Sequence, residues 1–210
     1  MKEKKKKFID LSHLLENSMP VYPGDNPISI VQDHKVVEGG YNNFLLNSGM
    51  HIGTHIDTPM HMLDIKKHVS EIKINRFTGN AKVIDCTGQS IILLSKKIEK
   101  KIKKNDNVLF HTGFDKFWGE EKYFSEHPDI SEELVDFLLH KKINLIGFDS
   151  PSPDKAPYSL HKKLFRNDIL IIENLTNLDL LLKYKKIRLF AFPLHIKADS
   201  SLIRAVAEVE

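Results

Sequence analysis

Apolar residues recur along the chain with two periods, near 2 and near 3.6, and their order predicts the architecture. Residues 28–37 and 41–48 read as two strands joined through Glu38-Gly39-Gly40, and 81–86 is a β-branched run. The run from Asn107 to His111 predicts a strand that ends at Thr112-Gly113. Over 131–142 the period is helical: Leu134, Val135, Leu138 and Leu139 share a face, with acidic residues in the first turn and basic ones in the last. A buried-type strand at 143–148 follows, and helix-then-strand is the rhythm of an α/β domain. Residues 160–164 begin another helix, 169–175 form an apolar strand running into Glu173, and 187–192 and 202–208 close the chain as strands. Two more helices are expected. One is exposed over 96–104, with Ile98 and Ile102 one turn apart; the other is leucine-rich, capped at Thr176-Asn177-Leu178 and ending in Lys183 and Lys185. The pattern predicts a single α/β domain over 1–210, with a mixed, largely β core, helices packed outside and a flexible basic tail at 1–7.

Composition changes this picture little. The chain has 210 residues, 41% hydrophobic and 28% charged, which is ordinary for a globular protein. A net charge of +3, with lysines dispersed among acidic residues, gives no basic stripe for nucleic acid. No apolar run reaches the ~18 residues of a membrane helix, and no signal segment follows the basic N-terminus. The one cysteine, Cys86, sits in a strand-like setting and is read as a packing residue; without an intramolecular disulfide the chain fits a reducing, cytoplasmic compartment.

Candidate chemistry concentrates at 51–62, HIGTHIDTPMHM. At strand period His51, Gly53, His55, Asp57, Pro59 and His61 fall on one face, and Ile52, Thr54, Ile56, Thr58, Met60 and Met62 on the other. At helical period His55 and Asp57 would point about 200° apart. The segment is therefore expected to be a half-buried strand that presents imidazoles and a carboxylate to a cavity. That donor set suits zinc or manganese better than calcium, and so few ligands leave positions open, as in a catalytic site. A polar strand face in contact with solvent is the plainer alternative.

HIGTHIDTPMH resembles, at every fixed position, the H-x-G-T-H-x-D-x-P-x-H motif of the cyclase-like metal hydrolases, which include bacterial kynurenine formamidases and isatin hydrolases. The resemblance continues through D-L-S-H-x-L and M-P-V-Y-P-G-D near the N-terminus, and through H-x-x-L at His161 and the stretch around Glu173. It implies a small barrel-like sheet, a homo-oligomer, dimer or tetramer, and two divalent ions, zinc first and manganese second. Carried over by residue, it implies one ion on His51, His55 and Asp57, and another on Asp57, His161 and Glu173, with Asp57 bridging. Read without it, His161 is an ordinary surface histidine and Glu173 a strand-end residue facing water. His61 is the candidate for proton transfer, with metal ligand or support residue as the alternatives.

In formamidases of the family an aromatic residue, commonly tryptophan, precedes Pro-Gly-Asp and contacts the substrate ring; here it is Tyr22. Its alternative is plain loop packing. Phe114, Phe117 and Trp118 either roof a pocket or fill the core, and core is the expectation. In the last segment Arg204-Ala205-Val206-Ala207 matches the family, whereas its glycines and proline are absent. The activity implied is hydrolysis of a non-peptide amide, foremost N-formylkynurenine to kynurenine and formate. Ring opening of a cyclic amide stands second, and a metal-binding homologue without turnover is the reading from another class.

Overall fold

Leu109 points to one side of its strand and Val108 and Phe110 to the other, yet all three are fully buried. A strand covered on both faces needs a layer on each side, and the fold supplies them. The computed structural model describes residues 6–210. Its strands are β1 (Lys7–Asp10), β2 (Ser29–His34), β3 (Asn43–Asn47), β4 (His55–Asp57), β5 (Thr78–Asp85), β6 (Ile91–Ile92), β7 (Asn107–His111), β8 (Asp129–Ile130), β9 (Leu145–Phe148), β10 (Leu170–Glu173), β11 (Ile187–Phe190), β12 (Ser200–Leu202) and β13 (Val206–Val209). Nine of them form one mixed sheet in the order β1-β13-β11-β5-β7-β9-β10-β4-β12. The central run β5-β7-β9-β10 is parallel, and the flanks are antiparallel.

The sheet curls because its flanks are tied together. Leu11 donates to the Ala205 carbonyl (2.9 Å) and accepts from the Thr176 amide (3.0 Å), so the chain after β1 spans from the approach to β13 to the end of β10. Inside the curl lie Ile56, Val83, Leu109, Leu145, Leu170, Ile172 and Leu189. Outside, Val108, Phe110, Ile146, Phe148 and Ile171 pack against helices Lys96–Lys101, Glu132–His140 and Ser159–Arg166. The α/β architecture with a barrel-like β core and external helices is thus as expected. Helix Glu132–His140 starts where its sequence says: Ser131 Oγ accepts from the Leu134 amide at 3.3 Å.

Several elements differ from the pattern. The 51–62 segment is a strand only at His55–Asp57; Gly53 is left-handed at φ +57, and Pro59 opens a 3₁₀ turn, Pro59–His61. The alternation therefore breaks on both sides of β4. A Cβ at Gly53 would stand 2.8 Å from Met19 Cε, a flexible chain end that can move aside, so it is the left-handed backbone that calls for glycine there. The leucine-rich helix is only a 3₁₀ turn, Leu178–Leu181, because Asn177 is left-handed and makes no side-chain cap. The last predicted strand divides into β12 and β13. The ribbon β2–β3 stands apart from the main sheet, with Phe44, Leu45 and Leu46 all exposed. Of the supposed tail, residues 1–5 lie outside the described residues; Lys7 begins β1 opposite Val209, and Lys6 pairs with Glu208 at 3.1 Å.

Two stability predictions follow from the core. A Cβ at buried Gly147, in β9, would meet Leu109 Cδ2 and Leu175 Cδ1 at 2.8 Å each. Gly147→Ala is expected to cost about 1–3 kcal/mol in denaturant unfolding; an unchanged midpoint and slope would show that the leucines shift freely. His127 is buried, and that burial, with Lys155 nearby, lowers it to about 4. A histidine neutral in the fold but titrating near 6.5 when unfolded contributes full stability above pH 6.5 and loses it as pH falls toward 4. Across that window wild type should lose about 3 kcal/mol more than His127→Leu; parallel pH curves would reject this.

Candidate functional site

Strand register alone brings together half of the candidate donors. In the antiparallel pairing of β4 with β10, His55 faces Glu173, and Asp57 lies two residues on, on the same side of the strand. His55 Nε2 is 3.4 Å from Asp57 Oδ1 and 3.5 Å from Glu173 Oε2. Helix Ser159–Arg166, the crossover from β9 to β10, adds His161, whose Nε2 is 3.5 Å from Glu173 Oε1. The bend before β4 adds His51, with Nδ1 2.9 Å from Asp57 Oδ1, and the turn after it adds His61.

Neighbouring hydrogen bonds fix which nitrogens point inward. His55 Nδ1 donates to the Gly53 carbonyl at 2.8 Å, and His161 Nδ1 to Asp154 Oδ1 at 3.1 Å. Both Nε2 atoms are then lone-pair donors facing carboxylates. Among the described residues His55 Nε2, Asp57 Oδ1, His161 Nε2 and Glu173 Oε1 are all buried without a hydrogen-bond partner. Such a cluster is held together either by protons on its imidazoles or by a cation, and its buried nitrogens and carboxylate oxygens are a donor set that fits a metal. Its atoms form two groups within 4.8 Å, His51/Asp57/His61 and His55/Asp57/Glu173. Asp57 belongs to both groups, while the division of the histidines differs from the one the resemblance implies.

Asp199, just before β12, organises the rim. Its Oδ2 accepts from His51 Nε2 at 2.9 Å and from His61 Nδ1 at 3.1 Å. Thr58 Oγ1 anchors the Asp199 carbonyl at 2.7 Å. Asn174, left-handed at φ +55, holds the bend: its Nδ2 donates to the Gly53 carbonyl (2.9 Å), and its own carbonyl accepts from Thr54 Oγ1 (2.5 Å). Tyr123 in turn donates to Asn174 Oδ1 at 2.8 Å.

Charge reinforces the geometry. Burial works against protonation of His51 and His55, but Asp57 outweighs it; His51 rises to about 9, helped by Asp199, and His55 rises well above its ordinary value. Burial would raise Asp57, yet His55 and His51 hold it well below the usual carboxylate range. Hydrogen bonds from His51 and His61 likewise depress Asp199 against burial. His161 is raised because Asp154 and Glu173 overcome its desolvation. Cys86, pushed up to about 12 chiefly by burial, is no nucleophile.

His51, His55, His61, His161 and Glu173 line a cavity of about 280 Å³ whose walls also include Tyr22, Trp118, Phe124 and Tyr158. Tyr22 does face the site, and its hydroxyl is 3.0 Å from that of Tyr158. Trp118 does both: it lines the cavity and packs against the small cluster of Met19, Ile28, Ile52 and Leu202, and its ring stacks on His13 at 4.0 Å. Phe114 and Phe117 pack on each other at 5.1 Å and do not line it. Sequence reasoning passed over Asp199, Asn174, Phe124 and Tyr158. Only Asp199 had a visible signal, as the aspartate kept in a segment whose glycines are gone.

A curled mixed sheet with a buried imidazole–carboxylate cluster defines an α/β protein able to hold a metal. Known proteins narrow that class. The Cyclase family model matches residues 9–155. Kynurenine formamidase of Bacillus cytotoxicus is 31% identical over 208 residues, 97% of this chain and 98% of that one. A solved isatin hydrolase bound to the product analogue thioisatinate superposes with a TM-score of 0.86 at 24% identity, over 97% of this chain and 92% of that one. A structure described as a potential metal-dependent hydrolase with cyclase activity gives 0.79 at 25% identity, over 98% and 99%. The chain belongs to the Cyclase family of hydrolytic enzymes.

Proposed function

We propose that the chain hydrolyses the C–N bond of a non-peptide amide, with an aryl formamide as substrate: N-formylkynurenine, giving kynurenine and formate. The observation that carries this reading is the set of four partnerless donor atoms, on His55, Asp57, His161 and Glu173, beneath a cavity walled by aromatic rings. The names of the full-length Bacillus relatives support the same substrate.

His51, His55, Asp57, His161 and Glu173 would hold two divalent cations, zinc first and manganese second, by the chemistry of their nitrogens and oxygens. Bound there, the cations supply Lewis acidity and lower the pKa of water. The protein's own groups do the rest. Asp57, common to both donor groups, carries negative charge to the centre of the cluster. Asp154 and the Gly53 carbonyl keep His161 and His55 in the tautomer whose Nε2 faces inward. Asp199 accepts from His61 Nδ1, which leaves Nε2 as the atom that carries a proton to the departing amine nitrogen. Tyr22, Trp118 and Phe124 give the planar ring an aromatic wall and exclude water from it.

The test is the rate of N-formylkynurenine hydrolysis by protein loaded with zinc or manganese, repeated after chelation. A chelator-sensitive kcat/KM near or above ~10⁴ M⁻¹s⁻¹ is expected. Absence of turnover from protein shown to retain its metal would reject the formamide and move the assignment to ring opening of a cyclic amide.

A further inference from the structure

Two phenols from distant parts of the chain meet in the cavity wall. Tyr22 lies in the proline-rich loop after β1, and Tyr158 immediately precedes helix Ser159–Arg166; their oxygens are 3.0 Å apart. The Tyr22 ring is braced edge-on against Phe124 at 5.7 Å. Tyr158 stands edge-on to His161 at 6.2 Å, so the pair is one side chain removed from the donor cluster.

The Tyr158 backbone is left-handed, φ +59 and ψ +42. For an L residue with a bulky side chain that costs roughly 1–2 kcal/mol, which a glycine would avoid. The fold accepts this cost and gains a phenol over the cavity. A local turn needs no such side chain: the Tyr158 amide and carbonyl bond to Lys155 and Lys162 through backbone atoms only.

Counting protons gives the pair its chemistry. Two hydroxyls carry two protons, and the bond between them uses one, so one O–H is left to donate. Tyr22 keeps its proton over the ordinary range, since it is pushed up to about 12, mainly by its bond to Tyr158 and then by burial. Elsewhere the wall joins apolar side chains, Pro20, Val21, Met62, Phe124 and Pro151 among them, to the donor cluster, Asp25, Ser152 and Asn174; Asp25 only accepts, Ser152 Oγ is taken by His161 Nδ1 at 3.3 Å, and Asn174 Nδ2 donates to the Gly53 carbonyl at 2.9 Å. An acceptor atom on a bound ring therefore finds its donor at this pair.

We propose that Tyr22 and Tyr158 form a specificity element whose spare hydroxyl donates to a carbonyl or carboxylate oxygen carried on the substrate ring, apart from the scissile amide. The inference rests on the amide-hydrolase reading for what occupies the cavity, but its test does not depend on turnover. Trp118 is the chain's one tryptophan and lines the same cavity, so its fluorescence reports binding directly.

The experiment titrates metal-loaded protein with acetophenone and with ethylbenzene, which differ by one oxygen, in wild type and in the double variant Tyr22→Phe/Tyr158→Phe. Phenylalanine keeps both rings, and an unchanged thermal midpoint checks that the wall is intact. The double variant should bind acetophenone about 10-fold more weakly, the worth of one neutral hydrogen bond, while ethylbenzene shifts less than about 2-fold. Equal weakening for both ligands would mean that the pair only braces the wall, and would overturn the proposal. So would unchanged affinity for acetophenone, or wild-type protein that does not bind it. Failure of the formamide assignment shows separately, as absent hydrolysis with this discrimination retained.

Discussion

Asp57→Ala is expected to strip the protein of bound metal and to lower kcat/KM by on the order of 10³ or more, the several kcal/mol that a bound cation contributes to charge stabilisation. Asp57 is buried in β4 between β10 and β12, and it is the one residue common to both donor groups. Removing it leaves His51 and His55 facing each other without the anion that holds them, at a ring separation of 5.2 Å. Asp57→Asn is the companion variant, since it keeps the volume and hydrogen-bonding capacity and isolates the charge. Elemental analysis of protein whose far-ultraviolet dichroism is native decides the matter. Full metal content in both variants would remove Asp57 from the centre of the site.

His61→Ala should behave in the opposite way, keeping its metal while turnover falls about 10²- to 10⁴-fold, the range for loss of a positioned acid–base group. The basis is its setting. His61 sits on a 3₁₀ turn at the cavity edge with Nδ1 committed to Asp199, and its ring is 4.0 Å from that of His51. It also stands within ligand reach of Asp57. Metal content measured beside turnover separates the two roles: a loss of metal equal to that of Asp57→Ala would make His61 a ligand instead.

The sequence made the central parallel strands legible because they are apolar on both faces, and Asn107–His111 was located to the residue. Helix Glu132–His140 was equally plain, since its face, its charges and Ser131 all agree. Where local and tertiary preferences part, periodicity misled. The 51–62 stretch alternates perfectly as text, yet Gly53 and Pro59 confine the strand to three residues, and His51 and His61 return to the site through a bend and a turn. The leucines at 178–182 look helical, but left-handed Asn177 starts only a 3₁₀ turn, in which Leu178 and Leu181 reach the core.

All the candidate donors were named from the motif and the resemblance to known hydrolases, and the fold brings them together. What escaped was the layer that orients them. Asp199 reaches His51 from 148 positions away, and Asn174 holds Gly53 from 121 away. Such pairs leave no local period, because their partner is set by sheet closure and not by neighbours in sequence. Tyr158 was hidden for a related reason, since only the folded crossover turns its hydroxyl toward Tyr22.

That separation in sequence also bears on when the site comes into being. The bend at 51–54, the strand end at 173–174 and the residue before β12 must all be in place before the donors converge, and each of these contacts closes a loop of more than a hundred residues. Loop closure on that scale must be met before any contact rewards it, so contacts of high sequence separation form slowly and late. No fragment that stops short of Asp199 contains the complete rim. Catalytic competence therefore arrives only once the segment carrying Asp199 has docked, and in a refolding experiment activity would trail the return of backbone structure.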